Sequence, residues 1–207
     1  MSRVALPHDA KAGPTKPEVR AVTLAKLDPG PSDHAVEIGS CTGAVTVELA
    51  RRAGRVTALE RKEGRLTTTR KNLAANDVPL ADGSGAGAAT DGGVVAREDS
   101  ATAPAEPAPV ELRAAEAPAG LPDDADCLFL GGSRNYAAVL DHAVETGVDR
   151  VVMNVSRLEV AGDAVRAFRE RDLLDEVCQF QVSHGYELAG ATSFDSENPV
   201  YCIVGGT

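Results

Sequence analysis

The chain of 207 residues has no tryptophan, and aromatic residues make up only 3% of it. Its core must therefore come from valine, leucine, isoleucine and alanine, and the 43% hydrophobic content is enough for one compact α/β unit. No apolar run approaches the roughly 20 residues of a membrane span, and the first residues lack the apolar stretch of a signal peptide. We therefore expect a single cytoplasmic domain, residues 1–207, with no membrane partner.

Cysteine is also scarce. The four cysteines, Cys41, Cys127, Cys178 and Cys202, are widely dispersed, and the sequence contains neither a CxxC pair nor a Cys/His cluster. This spacing predicts structural thiols in a reducing compartment and no metal site.

Basic residues are outnumbered, with 21 against 31 acidic residues and a net charge of −10. A general nucleic-acid binder carries a basic face that neutralises phosphates, so we expect no nucleic-acid partner. Only five of the basic residues are lysine. That balance suits a protein kept soluble in concentrated salt, and we take a halophilic habitat as a hypothesis.

The most informative segment is VEIGSCTG at residues 36–43, an apolar strand that runs into a glycine-containing turn and then an amphipathic helix. A dinucleotide fingerprint, G-x-G-x-x-G, needs a glycine where Cys41 stands, which disfavours a nicotinamide-dependent oxidoreductase. The remaining pattern resembles motif I of class I S-adenosylmethionine (SAM) methyltransferases. A strand-to-helix turn without a ligand is the alternative. The cofactor contacts expected from motif I are Glu37, Gly39, Ser40, Cys41, Thr42 and Gly43.

Residues 55–60 read as a second buried strand that ends in a carboxylate. An acidic residue about 20 positions after such a turn lies at the tip of the second strand, where it can accept hydrogen bonds from both ribose hydroxyls. Glu60 is therefore the predicted ribose ligand. The alternative is a solvated charge beside Arg61 and Lys62.

Helix and strand patterns alternate along the chain. Thr15 and Glu18 form a capping-box pattern, and with Pro17 in the first turn they predict a helix to about Leu27. Further strands are expected at 35–38, 55–60, 110–113, 126–130 and 150–154, helices at 43–53, 63–76, 135–146 and 160–174, and a final antiparallel pair at 176–182 and 199–204. This order predicts an α/β, Rossmann-like class I SAM-dependent methyltransferase fold, with a seven-stranded, mostly parallel sheet, right-handed crossovers and an antiparallel last strand.

Residues 78–109 have almost no large apolar side chains. Such a segment cannot bury enough surface to offset its ordering entropy. We predict a mobile, low-complexity acidic insertion, more consistent with a solvated loop than with a functional lid.

Two turns at strand ends supply further candidates. The turn after the third strand should border the adenine, with Glu116 and Ala117 as contacts, although an acidic surface turn explains them nearly as well. Ligands of parallel sheets bind beyond the carboxyl ends of the strands. The substrate contacts expected after the fourth strand are Gly131, Gly132, Ser133 and Arg134.

Several segments together resemble one family, the decarboxylating cobalt-precorrin C-15 methyltransferases of cobalamin biosynthesis, or CbiT family. The matching segments are Gly13-Pro14-Thr15-x-x-Glu18-Val19-Arg20, motif I through Thr46-Val47-Glu48-Leu49-Ala50, Thr67-Thr68-x-x-x-Asn72-Leu73, Gly131-Gly132-Ser133 and Asn198-Pro199-Val200. They cover most of the chain outside the insertion.

The resemblance implies methyl transfer from SAM to C-15 of a cobalt-precorrin of the 6B type, a tetrapyrrole, with loss of carbon dioxide from the C-12 acetate. It also implies that Thr15 lines the SAM site and that the protein is a homo-oligomer, a tetramer. The carboxylates of such a substrate would suit Arg134, Arg20 and Arg157, and Glu159 is a candidate substrate-facing acid. Surface ion pairs explain the three arginines equally well, and helix-start charge is the commoner explanation for Glu159. No catalytic residue is assigned, since a sulfonium methyl is already a good electrophile.

The chain departs from the family pattern at Ser40-Cys41, where Cys-Gly is usual, at Glu116, where Asp is usual, and in the long insertion. The Cys41 side chain projects toward the expected cofactor, so we predict weakened SAM affinity. Competing interpretations are a SAM methyltransferase of another small molecule or of RNA, and a SAM-binding scaffold without catalysis. The absence of an Asn-Pro-Pro-Tyr motif lowers the nucleobase option.

Overall fold

The computed structural model describes residues 3–11, 13–81, 106–132 and 134–207. Helices and strands alternate along these ranges. The elements are α1 (Pro17–Leu27), β1 (His34–Ile38), α2 (Ala44–Ala50), β2 (Arg55–Leu59), α3 (Glu63–Ala74), β3 (Val110–Arg113), β4 (Cys127–Leu130), α4 (Tyr136–Thr146), β5 (Arg150–Val155), α5 (Leu158–Arg169), β6 (Leu174–Phe180), β7 (Ser183–Leu188), β8 (Ala191–Ser196) and β9 (Val200–Gly205).

Seven of the strands form one sheet in the order β3-β2-β1-β4-β5-β9-β6. All neighbours pair in parallel except β9, which is antiparallel to both β5 and β6. The predicted fold class and the predicted terminal antiparallel pair are confirmed. Ile38 pairs with both Leu59 and Leu130, so the carboxyl ends of β2, β1 and β4 lie level at one edge.

The sheet separates two aliphatic cores. Successive residues of β4 point to opposite faces, so Leu128 packs into one core and Phe129 into the other. Phe168 fills the first core beside Met153. The scarce aromatic side chains thus contribute one fully buried residue to each core, and most of the other buried core residues are aliphatic.

The start of α1 differs from the prediction. Its N-cap is Lys16, and no side chain caps the helix. The capping box expected from Thr15 and Glu18 is therefore wrong. Pro17 sets the first helical position, while the carbonyl of Thr15 accepts a hydrogen bond from Arg20 Nη1 at 2.6 Å.

Three helices end earlier than predicted, among them α3, which stops at Ala74 where Asn76 was expected. The helix α5 stops at Arg169 because Asp172 adopts a left-handed backbone (φ 55°) and the Leu173 N–H bonds back to the Phe168 carbonyl at 3.0 Å. Leu174 then opens β6, where the prediction had continued the helix. The helix α2 stops at Ala50, three residues before its expected end.

The strands β7 and β8 form a separate two-stranded hairpin that the sequence analysis missed. Ala189 and Gly190 join them with positive φ values of 52° and 78°, the backbone of a tight two-residue hairpin turn. Tyr186, Leu188 and Phe194 on this hairpin are 47%, 57% and 65% exposed.

Both ends of the predicted insertion belong to the fold. Val110 N–H bonds to the Pro79 carbonyl, and Ala81 N–H bonds to the Val110 carbonyl, each at 2.9 Å. Ala108 N–H bonds to the Ala50 carbonyl at 2.7 Å. The insertion predicted over residues 78–109 therefore extends too far at both ends. Residues 82–105, on which the prediction of mobility now falls, lie outside the described residues.

None of the helices in the described ranges has the length and apolar character needed to cross a bilayer.

Candidate active site

The turn after β1 brings two backbones into close contact. Gly39 has φ 89°, and its N–H donates to the Leu59 carbonyl at 2.8 Å. A Cβ at this position would lie 3.3 Å from Gly132 N, closer than most real contacts. Glycine therefore lets the β1 turn approach the loop after β4.

Cys41 occupies the tip of the same turn. Its φ of 53° lies in the left-handed region, which strains a residue with a Cβ. The side chain is partly buried, with Sγ 3.9 Å from the Gly13 carbonyl oxygen, and burial raises the pKa of its thiol. Cys41 is thus a neutral thiol that contacts the N-terminal wall of the site.

The helix α3 supports the turn from behind. Thr69 Oγ1 lies 3.0 Å from both Ser40 Oγ and the Cys41 carbonyl oxygen. Asn72 Nδ2 donates to the Thr42 carbonyl at 2.8 Å. These contacts fix the backbone of the turn and the hydroxyl of Ser40.

Two buried carboxylates lie at the carboxyl ends of β1 and β2. Glu37 is 2% exposed and accepts a hydrogen bond from Thr46 Oγ1 at 2.5 Å. Burial raises the pKa of Glu37 to about 7, against the opposing effect of the Thr46 hydroxyl. Glu60 is 4% exposed, and its Oε1 accepts a hydrogen bond from the Lys62 N–H at 2.9 Å.

These groups border two adjoining cavities. The large cavity has a volume of about 550 Å³ and the small cavity about 120 Å³. The cofactor contacts predicted from the sequence that line the large cavity are Thr15, Glu37, Gly39, Ser40, Cys41, Thr42 and Glu60, and those that line the small cavity are Gly39, Glu60, Glu116 and Ala117. Gly43 lines neither; it is the N-cap of α2, with φ 77°.

This donor set fits SAM. Glu37 supplies a buried carboxylate for an ammonium group, and Glu60 leaves one carboxylate oxygen beyond its bond to Lys62 for ribose hydroxyls. The small cavity has an apolar wall from Ile38, Leu59 and Ala117 that suits an adenine ring. The assignment of individual residues remains a prediction.

The predicted substrate contacts are only partly brought together. Gly131 and Gly132 line the large cavity, whereas Ser133 lies outside the described residues. Arg134 Nε instead lies 3.1 Å from Glu116 Oε1, at the small cavity. Its expected place beside the substrate is not supported, because it pairs with Glu116 in the turn after β3 and does not line the large cavity.

The remaining charged candidates lie elsewhere. Arg20 is 7% exposed and its guanidinium donates to the Thr15 carbonyl, behind the cavity wall. Arg157 and Glu159 lie at the start of α5 and are not among the residues that line the large cavity in the described part of the chain. Their role toward a substrate stays a prediction without support from the geometry.

Sequence reasoning missed six polar residues that line the large cavity. The unassigned polar residues there are Lys16, Arg65, Asn154, Ser156, Glu197 and Asn198. Asn154 and Ser156 lie at the carboxyl end of β5, where the strand-end rule could have found them. Lys16 and Glu197 are far apart in the chain, and no pattern joins them.

Comparisons with known proteins agree with this geometry. A family model described as a precorrin methyltransferase domain matches residues 6–92. A protein of Halobacterium salinarum named probable cobalt-precorrin-6B C(15)-methyltransferase (decarboxylating) is 67% identical over 99% of this chain and 95% of its own length. The chain belongs to the cobalt-precorrin-6B C(15)-methyltransferase family. The salt-adapted source of this relative agrees with the halophilic habitat inferred from composition.

More distant members of the family extend the likeness. A protein of Methanosarcina acetivorans with the same name is 33% identical over 93% of both chains. The crystal structure of the precorrin-8W decarboxylase of Methanobacterium thermoautotrophicum superimposes with a TM-score of 0.74 at 27% identity, over 94% of this chain and 92% of that one. A precorrin-6Y C5,15-methyltransferase from Geobacter metallireducens has the same TM-score and identity, over 96% and 94%.

A tRNA (m1A58) methyltransferase from Aquifex aeolicus has a TM-score of 0.67 at 15% identity, covering 97% of this chain and 72% of that one. At this identity the likeness shows a shared methyltransferase fold and nothing about the substrate.

Proposed function

We propose that this protein transfers a methyl group from SAM to C-15 of cobalt-precorrin-6B and removes the C-12 acetate carboxylate as carbon dioxide. The observation that carries the proposal is the 67% identity, over 99% of the chain, to the protein of that name. The two cavities that meet at Gly39 and Glu60 support it, because they offer adjoining space beside the turn after β1.

Bound SAM supplies a methyl group that is already electrophilic. C-15 forms the new bond as the carbon–sulfur bond breaks, with its electron pair kept by sulfur. Loss of carbon dioxide then returns one electron pair to the conjugated ring. The protein therefore needs to orient the reactants and exclude water, a contribution of order 7–11 kcal/mol at best.

The residues around the turn have separate tasks in this proposal. Glu37 pairs with the ammonium group of SAM, and Glu60 accepts the ribose hydroxyls. Gly39, Gly131 and Gly132 carry no side chain, so the methyl donor and the ring carbon can approach one another across the backbone.

The test is the mass of the product. Incubation with SAM and cobalt-precorrin-6B should add one methyl group and remove one carbon dioxide. Glu60→Gln should weaken SAM binding about tenfold, as expected for loss of charge-assisted hydrogen bonds. The matched control is Glu63→Gln on the exposed start of α3, which lines neither cavity. A product methylated without loss of carbon dioxide would contradict the proposal.

The proposal also covers where the protein works and what it does not bind. We infer one domain in the cytoplasm, with a tetrapyrrole substrate and no nucleic-acid partner. The seven-stranded sheet with strands from His34 to Gly205, the free thiols of Cys178 and Cys202 on paired strands, and the net charge of −10 support these inferences.

We further propose that the protein is a homo-oligomer, four copies by family resemblance, and that the β7–β8 hairpin is its contact. Tyr186 and Leu188 lie on one face of the hairpin, and Phe194, opposite Gly185, lies on the other. An isolated two-stranded hairpin is only marginally stable in water. Exposed apolar side chains on both faces favour coverage by hairpins of other copies.

A further inference from the structure

An ion pair joins two walls of the large cavity. Lys16 Nζ, at the N-cap of α1, contacts Glu197 Oε2, in the loop that follows β8. Both residues line the cavity, and their side chains are 47% and 24% exposed. The pair is therefore within reach of any molecule that occupies this space.

Lys16 stands out among the cations near the site. Within the described part of the chain, the large cavity is lined by two cationic side chains, Lys16 and Arg65. Arg65 also lines the small cavity and acts electrostatically on Cys41, which places it on the cofactor side. Lys16 is thus the cation available to the other occupant of the large cavity.

The backbone of Glu197 is held by hydrogen bonds, whereas its carboxylate can exchange one partner for another. Its N–H donates to the Val182 carbonyl, and its carbonyl accepts from Gln181 Nε2, both at 2.9 Å. His184 Nε2 lies 3.8 Å from Glu197 Oε1 and offers the carboxylate a second partner. Partly exposed ion pairs are weak, so a competing carboxylate can take Lys16 at little cost.

We propose that Lys16 binds a carboxylate of the tetrapyrrole substrate and that Glu197 holds Lys16 in place until that carboxylate arrives. This inference rests on the proposed function, whose substrate carries many carboxylates. Glu197 then lowers the affinity for the substrate, because it competes with the substrate carboxylate for Lys16. Lys16 itself raises that affinity. The two partners of one ion pair therefore have opposite effects on substrate binding.

The test compares Lys16→Gln with Glu197→Gln in the full chain, with cobalt-precorrin-6B as the varied substrate at saturating SAM. Lys16→Gln should raise KM about tenfold, the loss typical of one charge-assisted hydrogen bond, and Lys16→Arg should recover most of it. Glu197→Gln should lower KM by roughly twofold to fivefold, the range of a weak ion pair. The control variants Lys11→Gln and Glu170→Gln change exposed residues that do not line the cavity.

Calorimetry with SAM alone separates this inference from the proposed function. Both cavity variants should bind SAM as the wild type does and should show its melting curve. If the ion pair only held the two walls together, both substitutions would raise KM, and that result would overturn the role of Lys16. If the wild type binds SAM but leaves cobalt-precorrin-6B unmodified, the proposed function fails, and this inference fails with it.

Discussion

The side-chain amide of Asn72 holds both polar groups of the His8 backbone. Its Oδ1 accepts from the His8 N–H at 3.1 Å, and its Nδ2 donates to the His8 carbonyl at 2.8 Å. Asn76, just beyond the C-terminal end of α3, holds Ala5 in the same way at 2.9 and 2.6 Å. The N-terminal segment is therefore held at the C-terminal part of α3 by two side-chain amides, each of which bonds one backbone N–H and one backbone carbonyl. Asn72 also supports the turn after β1 through the Thr42 carbonyl.

Asn72→Ala should destabilise the protein by about 2 kcal/mol, because it leaves the His8 N–H and the Thr42 carbonyl without this partner. For a chain of this size, that loss lowers Tm by about 4–8 °C. Thermal unfolding followed by circular dichroism measures the shift. Arg70→Ala, on an exposed position of the same helix, should leave Tm nearly unchanged. Equal melting of the two variants would show that the amide contributes little.

Glu37→Gln should stabilise the ligand-free protein at alkaline pH. The raised pKa of about 7 means that the folded protein keeps a proton between pH 4.5 and 7 that the unfolded chain has released. Wild-type stability therefore falls as the pH rises through this window. The variant lacks this loss, so at pH 8 it should exceed the wild type by an amount on the order of 3 kcal/mol at most. Urea unfolding at pH 5 and pH 8 measures the difference.

The same variant has the opposite effect on ligand binding. A cationic ligand favours the ionised form of Glu37, so wild-type affinity for SAM should increase as the pH rises through 7. Calorimetry should find weaker SAM binding by Glu37→Gln, with a flatter pH profile. A wild-type affinity that is constant from pH 6 to pH 8 would argue against this carboxylate as the partner of the ammonium group.

Cys41→Gly should improve SAM affinity. Glycine removes the side chain from the cavity wall. The left-handed strain at φ 53° is present with and without SAM, so its relief raises stability and leaves Kd unchanged. A gain of about 1 kcal/mol from the freed space corresponds to roughly fivefold in Kd. Calorimetric titration with SAM measures it.

The hairpin turn offers a matched control for Cys41. Ala189 has φ 52° and is exposed, far from the cofactor turn in the chain. Ala189→Gly should relieve a similar strain without changing the Kd for SAM. If both variants bind SAM as the wild type does, the Cys41 side chain is accommodated without cost.

Phe194→Ser combined with Leu188→Ser should lower the oligomeric state, since it removes exposed apolar side chains from both faces of the hairpin. Size-exclusion chromatography with light scattering gives the mass directly. Val144→Ser, which changes a 45% exposed valine on α4, is the control. An unchanged mass for the double variant would locate the contact elsewhere or leave the wild type a monomer.

Much of the fold could be predicted because parallel strands buried on both faces read as short apolar runs between amphipathic helices. The sequence analysis missed the β7–β8 hairpin because neither of its faces is buried within one chain. No hydrophobic alternation therefore marks these strands. Its signal was the glycine of a two-residue turn, Gly190.

The cavity wall formed by the turn after β1 and the end of β2 was predictable for a related reason. Motif I and the acid after β2 are local patterns, and the parallel sheet brings their ends together. The ion pairs of Arg134 with Glu116 and of Lys16 with Glu197 could not be predicted from the sequence. Tertiary contacts between separate segments bring these partners together, and no local pattern marks them. Thr15 failed as a helix cap because α1 begins at Pro17, which makes Lys16 the N-cap.

The position of β9 bears on how the protein is made. This strand is the last in the chain, yet it lies inside the sheet between β5 and β6. On the ribosome, β5 has an open hydrogen-bonding edge and β6 has no neighbour until residues 200–205 emerge. Completion of the sheet is therefore a late event in synthesis, and a stalled chain exposes an edge prone to aggregation.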